Sequence, residues 1–362
     1  MYAEYDDALR ILSGTSPESG GRPNHGAMIA AALIEMGRGD VVMPWIQRYR
    51  HQLESRLPVQ SAIERHNWQF ALGAMGRSAD WVVFFQRALA ESDWLTVLKQ
   101  WIPLLAPGLS GAGGNGAIRA VLCLNGLAAD PNKVRHIELA EGLAYWASRY
   151  HKLPGLPAGP SAGMLLPTRA LNRIPRFNKD TPPTVGTIGE GLRGLAGAPE
   201  FTGIINLVSL SDDPEVLIGL ITDLYARLIL AHREEPRRLM ALFPALSVSS
   251  AMRALLPFLS LGDARLVLRY LWQFTAALYA VFGCNKPASA FEPVPEDIDE
   301  LVHEAVATGN AHVILMTAAC RREYLLHPKP AFPAAIKLAT QIFTTGNDET
   351  REEPGFQLYR DL

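Results

Sequence analysis

Three polar residues stand in apolar surroundings that would let them do chemistry: His25, Arg119 and His312. His25 follows Asn24 at the start of an alanine-rich segment, Arg119 falls in the first turns of the apolar stretch near 116–128, and His312 precedes Val313, Ile314 and Met316. An imidazole moves protons near neutral pH or ligates a metal. A guanidinium carries five donors and, once buried, needs acceptors from a carboxylate or a substrate carbonyl. Each residue also has a plainer reading. Asn24 can cap a helix while His25 satisfies a core hydrogen bond, His312 can be a core histidine with one partner, and Arg119 can belong to a structural ion pair. Asn115, followed by Gly116, reads as a pocket amide or as an ordinary cap or turn residue. Tyr145, Tyr270 and Tyr279 offer phenols that nothing in their spacing separates. Trp45, Trp81, Trp94, Trp101, Trp146 and Trp272 read as core, or in part as the lining of a pocket for a flat ligand.

Other catalytic signatures stand out of context. Gly159, Ser161 and Gly163 spell Gly-x-Ser-x-Gly inside a Pro-rich loop rather than at a strand-to-helix elbow. Gly189, Gly191 and Gly194 spell Gly-x-Gly-x-x-Gly, but the only strand before them would be a short stretch broken by Gly186. The spacing predicts a flexible turn there, not a nucleotide site.

Several motifs in order resemble the questin oxidase-like family: Asn24-His25-Gly26-Ala27-Met28, Gly37-Arg38-Gly39-Asp40, Trp45-Ile46-Gln47-Arg48-Tyr49, Asp80-Trp81 with Phe84-Phe85, Trp94, Trp101, Pro107-Gly108, and Gly142-Leu143-Ala144-Tyr145-Trp146. The resemblance extends over most of the chain and implies a tailoring enzyme for polyketide-derived rings. It also implies a metal-binding helix start at 111–119, with two histidines nearly two turns apart on one helix face. The matching positions here hold Asn115 and Leu122, and a leucine coordinates nothing. Further positions that the resemblance makes ligands hold Pro244 and Leu315, so His25 and His312 alone remain of the implied set. The resemblance thus implies the scaffold of a metal enzyme with its ligands replaced, and a pocket lined by Asn115, Leu122, Pro244, Leu315, Tyr145 and Trp146.

The elements that must position these residues read as helices. Apolar residues return at helical spacing near 25–37, 78–91, 116–128, 133–149, 213–232, 262–282, 295–308 and 310–326, and alternating strands are scarce. Asp93, Asp130-Pro131 and Asp213-Pro214 predict helix starts. The segment 153–168 is too rich in Pro and Gly for a helix and either separates two helical layers or forms a lid. The loops 181–184 and 286–295 and a frayed C-terminus complete the reading. The run 233–238 mixes charge signs and predicts a solvated loop.

The 362 residues are 48% hydrophobic with a formal net charge of −2, which leaves no electrostatic footprint for nucleic acid or an anionic membrane. The acidic start predicts no signal peptide, and the apolar runs 251–261 and 266–284, broken by Arg253, Arg269 and Gln273, predict buried helices rather than membrane spans. Cys123, Cys284 and Cys320 form no Cys-x-x-Cys pair, which suits a reducing cytoplasm. The expectation is an all-α, single-domain helical array over 1–362, surrounding a central pocket. Its function is expected to be cofactor-independent cyclisation or rearrangement of a hydrophobic small molecule through His25, Arg119 and His312. An iron oxygenase completed by a carboxylate such as Asp40, and a carrier for an apolar intermediate, are the alternatives. The oligomeric state is open.

Overall fold

A computed structural model describes residues 2–159, 163–177, 187–211, 213–284, 291 and 293–345. Ser161, the loop 181–184, most of the loop 286–295 and the C-terminal residues lie outside them. The architecture is all-α. Among the described residues the only strands are β1 (Glu18–Ser19) and β2 (Arg22–Pro23), paired antiparallel.

The helices collect into two compact units. The first comprises residues 1–152 and 254–263 and holds α1 (Ala3–Leu12), α2 (Gly26–Glu35), α3 (Gly39–Tyr49), α4 (Ser78–Glu91), α5 (Trp94–Leu105), α6 (Asn115–Leu122), α7 (Leu124–Ala129) and α8 (Lys133–Ser148). Its centre is α8, which packs on α4, α6 and α1. The tightest crossing is between α6 and α8, where Gly116 faces the Trp146 backbone and Gly142 faces Ala120. Chain direction reverses between the two helices, since the partners run in opposite order. Trp81, Phe84, Phe85 and Trp101 fill the α4–α5 side with rings 5.0–5.9 Å apart. Trp45, Trp81, Trp101, Trp146 and Trp272 are buried core residues, as their spacing predicts.

The second unit comprises residues 153–253 and 264–361. It holds α9 (Pro167–Ala170), α10 (Ile188–Gly194), α11 (Pro214–Ala231), α12 (Pro236–Ala251), most of α13 (Leu261–Phe282), α14 (Ile298–Ala307), α15 (Ala311–Leu326) and α16 (Ala331–Thr345). α12 packs on α11 and α15, and α15 on α16.

Several local expectations need correction. α8 is capped by Asn132, whose Oδ1 accepts from the Val134 and Arg135 N–H groups, rather than by Asp130; Asp93 and Asp213 cap α5 and α11 as expected. The run 233–238 is a solvated turn only in its first half: Arg233 and Glu234 are exposed, but Pro236 opens α12, and Arg238 is buried with Nη1 donating to the Phe282 and Gly283 carbonyls. The glycine pattern at 189–194 is a helix, α10, begun by a reciprocal Thr187–Glu190 capping box, and Gly191 packs beneath Val281 and Phe282. The run 251–261 breaks into short 3₁₀ turns at Met252–Ala254 and Leu256–Phe258. The stretch Pro236–Phe258 is long and apolar enough to cross a membrane, yet 89% of its apolar window is buried, as in a core helix. The described part of the Pro/Gly-rich segment opens the second unit and is stitched to it: Gly155 lies against the Thr202 carbonyl, Leu165 bridges Val208, and Gln273 Nε2 donates to the Pro154 carbonyl at 2.9 Å.

Candidate functional site

Arg119 is the centre of the first unit's buried charge. α6 carries it in an apolar environment at 5% exposure, and α8 brings Glu138 to it. Nε donates to Glu138 Oε1 at 2.7 Å and Nη2 to Oε2 at 2.9 Å, the two-point fork that suits a guanidinium and a carboxylate. Burial alone would lower the Arg119 pKa, but the paired Glu138 charge outweighs it and holds the guanidinium more firmly protonated than usual.

The third nitrogen differs. Arg119 Nη1 is buried and has no hydrogen-bond partner among the described residues. A buried donor left unmade costs about 1–3 kcal/mol, more when charged, so such atoms ask for a cause.

A cleft of about 70 Å³ has Arg119 among its lining residues. Leu9 and Leu12 of α1 with Val134 and Ile137 of α8 give it apolar walls, while Arg119, Glu138 and Glu141 give it charge; the exposed Arg10 and Ser13 complete it. With a liquid water taking roughly 30 Å³, the space suits a single functional group such as a carbonyl with its neighbouring carbon. It is well below the roughly 300–1,000 Å³ of sites that enclose a whole drug-sized ligand.

Glu141 is the second unusual group. It sits one helical turn after Glu138, is buried, and takes an ion pair from Arg56 Nη2 to its Oε1. Burial raises its pKa and the neighbouring Glu138 adds to that, while Arg119 and Arg56 act against them; the balance leaves it above the ordinary carboxylate range. The same helix therefore presents two buried carboxylates in different settings, one with both oxygens locked in the Arg119 fork and one paired with Arg56 through a single oxygen. Separated environments of this kind are how carboxylates acquire distinct acid and base roles.

The Arg119 charge reaches further. It opposes the burial that raises the hydroxyls of Tyr5 and Tyr145, the Cys123 thiol, and Tyr49, which is pushed up to about 12. Tyr49 accepts from the His25 backbone N–H at 2.9 Å and stacks on Trp45. Tyr145 donates to Glu18 Oε1 at 3.0 Å, and Arg149 pairs with the same glutamate.

Of the expected site residues, Arg119 alone lines the cleft. His25 stands at the N-cap position of α2 without a side-chain capping bond, and Asn24 Oδ1 accepts from Gly26 N–H beside it. Asn115 begins α6 and donates to the Ala112 carbonyl at 2.6 Å, a local turn contact. Leu122 and Trp146 are core, and Trp146 Nε1 has no hydrogen-bond partner among the described residues. These residues belong to the first unit, whereas Pro244, His312 and Leu315 belong to α12 and α15 of the second. Pro244 is a buried interior residue of α12, where it removes one intrahelical hydrogen bond. Asn310 Oδ1 accepts from the His312 backbone N–H, and burial lowers the imidazole pKa to about 4.

Sequence reasoning missed Glu138, Glu141 and Arg56. The signal was present as two acids three residues apart within the otherwise apolar stretch 137–147.

The second unit holds a comparable cluster that is fully answered. Arg253 forks onto Glu323 at 2.7 and 2.9 Å, and Ser250 and Thr222 hydroxyls donate to the same carboxylate at 2.8 and 3.0 Å. That arrangement is structural, with each carboxylate oxygen engaged.

The residues do not fit the iron centre that the motif resemblance would imply. Among the described residues no group of three or more His, Cys, Asp or Glu side chains could hold a metal ion. Asp40, the carboxylate needed by the oxygenase alternative, is exposed and engaged by Arg38. Compared with models of known protein families and with curated proteins, the sequence matches none.

Proposed function

We propose that the chain is a cofactor-independent cyclase- or isomerase-like enzyme that takes the carbonyl end of a hydrophobic small molecule into the cleft beside Arg119. The observation that carries this reading is the buried, unpartnered Arg119 Nη1 on a residue lining an apolar-walled cleft. A carbonyl oxygen is the acceptor this nitrogen lacks, and one that gains negative charge during reaction would be held more tightly than the ground state. Glu138 keeps the guanidinium charged and aimed. The walls exclude water and hold one conformer, drawing on the roughly 7–11 kcal/mol that positioning can supply. The cleft admits the reacting group while the rest of the molecule lies outside it. That the molecule is polyketide-derived rests on the motif resemblance alone. The three cysteines are buried and free, which suits a reducing cytoplasm.

The small cleft also favours a second reading, a carrier that grips an apolar intermediate by its carbonyl without turning it over. Incubation with the small β,γ-unsaturated ketone pent-4-en-2-one separates the two. Conversion to the conjugated ketone, lost in Arg119→Gln and in Ser13→Trp, which blocks the cleft without touching the ion pair, supports the enzyme. Saturable binding without conversion selects the carrier. Neither binding nor conversion overturns the site.

A further inference from the structure

We propose that Glu141 is the proton-transferring residue of this site, acting on a carbon next to the carbonyl that Arg119 receives. The inference rests on the reading of the cleft given above and adds to it the class of substrate: a ketone bearing a removable hydrogen on its α-carbon.

The geometry comes first. Glu141 and Arg119 line the same cleft, on the facing helices α8 and α6, so a group small enough to enter meets both. Glu138 occupies the neighbouring turn but spends both oxygens on the guanidinium fork, which removes it from the competition for a substrate proton. Glu141 is held instead by Arg56, through Oε1. The α6–α8 crossing fixes the two helices backbone against backbone at Gly116 and Gly142, so the separation between the two functional groups is set by main chain.

The charged groups facing Glu141 come from every element around it: Arg119 on α6, Arg56 from the loop after α3, Glu138 on its own helix, and Arg10 at the edge of the cleft on α1. Their balance, with burial as the largest cause, leaves the carboxyl easier to protonate than a solvated one. A carboxylate raised in this way is a stronger base once ionised and holds a transferred proton more firmly than a solvated one.

The step closes on itself. The α-C–H bond breaks and its proton passes to a Glu141 carboxylate oxygen. The electron pair moves through the new C=C bond onto the carbonyl oxygen, giving an enolate that accepts from Arg119 Nη1–H. Return of the same proton to the γ-carbon of a β,γ-unsaturated ketone yields the conjugated isomer; attack of the enolate carbon on a second carbonyl of the same molecule closes a ring, the attacked carbonyl's electron pair moving onto its oxygen, which takes the proton back from Glu141. No oxidant, reductant or co-reactant enters.

The test uses the full chain with two probes, pent-4-en-2-one for isomerisation and 2-pentanone in D₂O for exchange of its α-hydrogens. Wild type, Glu141→Gln and Glu141→Asp are compared for probe binding by ligand-observed NMR and for both rates over pH. The expected result is unchanged binding in Glu141→Gln with rates down by about 10²–10⁴, the range for losing a general base. Partial activity in Glu141→Asp should come with a displaced acidic limb of the rate profile. Wild-type turnover that persists in Glu141→Gln with the same pH profile overturns the role of Glu141 and leaves the cleft reading standing. Probe binding without exchange in wild type overturns it also, in favour of the carrier. Absence of binding removes the cleft reading and this inference together.

Discussion

Gly116 and Trp146 meet backbone to backbone: a Cβ placed on Gly116 would fall 2.6 Å from the Trp146 Cα. Gly142 makes the reciprocal approach, 2.5 Å from the Ala120 Cα. These contacts are to main chain, which has no rotamer by which to yield. Gly116→Ala and Gly142→Ala should each destabilise the protein by about 1–3 kcal/mol, as overpacking does. Urea denaturation checks this, and a midpoint within error of wild type for both variants would contradict the packing.

Removing one member of the Arg119–Glu138 pair should cost more than removing both. A buried charge left without its partner is worth about 3–5 kcal/mol of destabilisation, whereas replacing both by apolar groups of similar shape is often near neutral. Glu138→Leu and Arg119→Met, made singly and together, form a double-mutant cycle. The double variant should be more stable than the additive expectation.

His312 gives the second unit a defined response to acid. Its imidazole is lowered by burial to about 4 from an ordinary 6.5, so between those values the unfolded chain binds a proton that the folded chain refuses. Its contribution is fully present above about 6.5 and is lost as pH falls toward 4. The wild-type stability curve should therefore fall across that window more steeply than that of His312→Gln, and NMR titration of the ring should show the neutral form persisting below pH 6.

Glu323 should behave in the opposite manner to Glu141. Burial would raise its pKa, but the Arg253 fork and the Ser250 and Thr222 hydroxyls outweigh burial and hold the carboxyl below its usual 4.5. The stability it contributes is present above that value and disappears as pH falls through the folded pKa. Glu141, held above the same value, favours the folded state on the acid side, and its contribution declines as pH rises from 4.5 through its folded pKa. Comparing Glu323→Gln with Glu141→Gln by acid titration of stability should show changes of opposite slope.

The sequence made the helices readable because most carry an uninterrupted apolar period. α2, α4, α8, α11, α13, α14 and α15 fall where that period places them. α12 was hidden by two prolines, since Pro236 looks like a breaker until it is seen at the first helical turn, and Pro244 costs a hydrogen bond that the packed core tolerates. α16, opening at Ala331 just after Pro330 and carrying Pro333, was hidden in the same way. Arg119 was legible because a cation in an apolar helix demands a partner. Which partner was not legible, because Glu138 and Glu141 look from sequence like the polar stripe of an amphipathic helix. Only the docking of α6 turns that stripe inward. His25 and Asn115 were singled out by motif; His25 stands at the N-cap position of α2 with its backbone N–H on the Tyr49 hydroxyl, and Asn115 takes a local turn contact that its residue type equally allows.

The two ion pairs of the cleft differ sharply in the length of chain they close. Arg119 and Glu138 are 19 residues apart, whereas Arg56 and Glu141 are 85 apart. Short loops close at lower entropic cost and sooner than long ones. The α6–α8 hairpin can thus form as an early nucleus that already holds its guanidinium, while Glu141 stays an ordinary hydrated acid until the N-terminal segment arrives. The cleft's electrostatic character is accordingly a late product of folding, acquired when Arg56 and α1 close over a hairpin built before them.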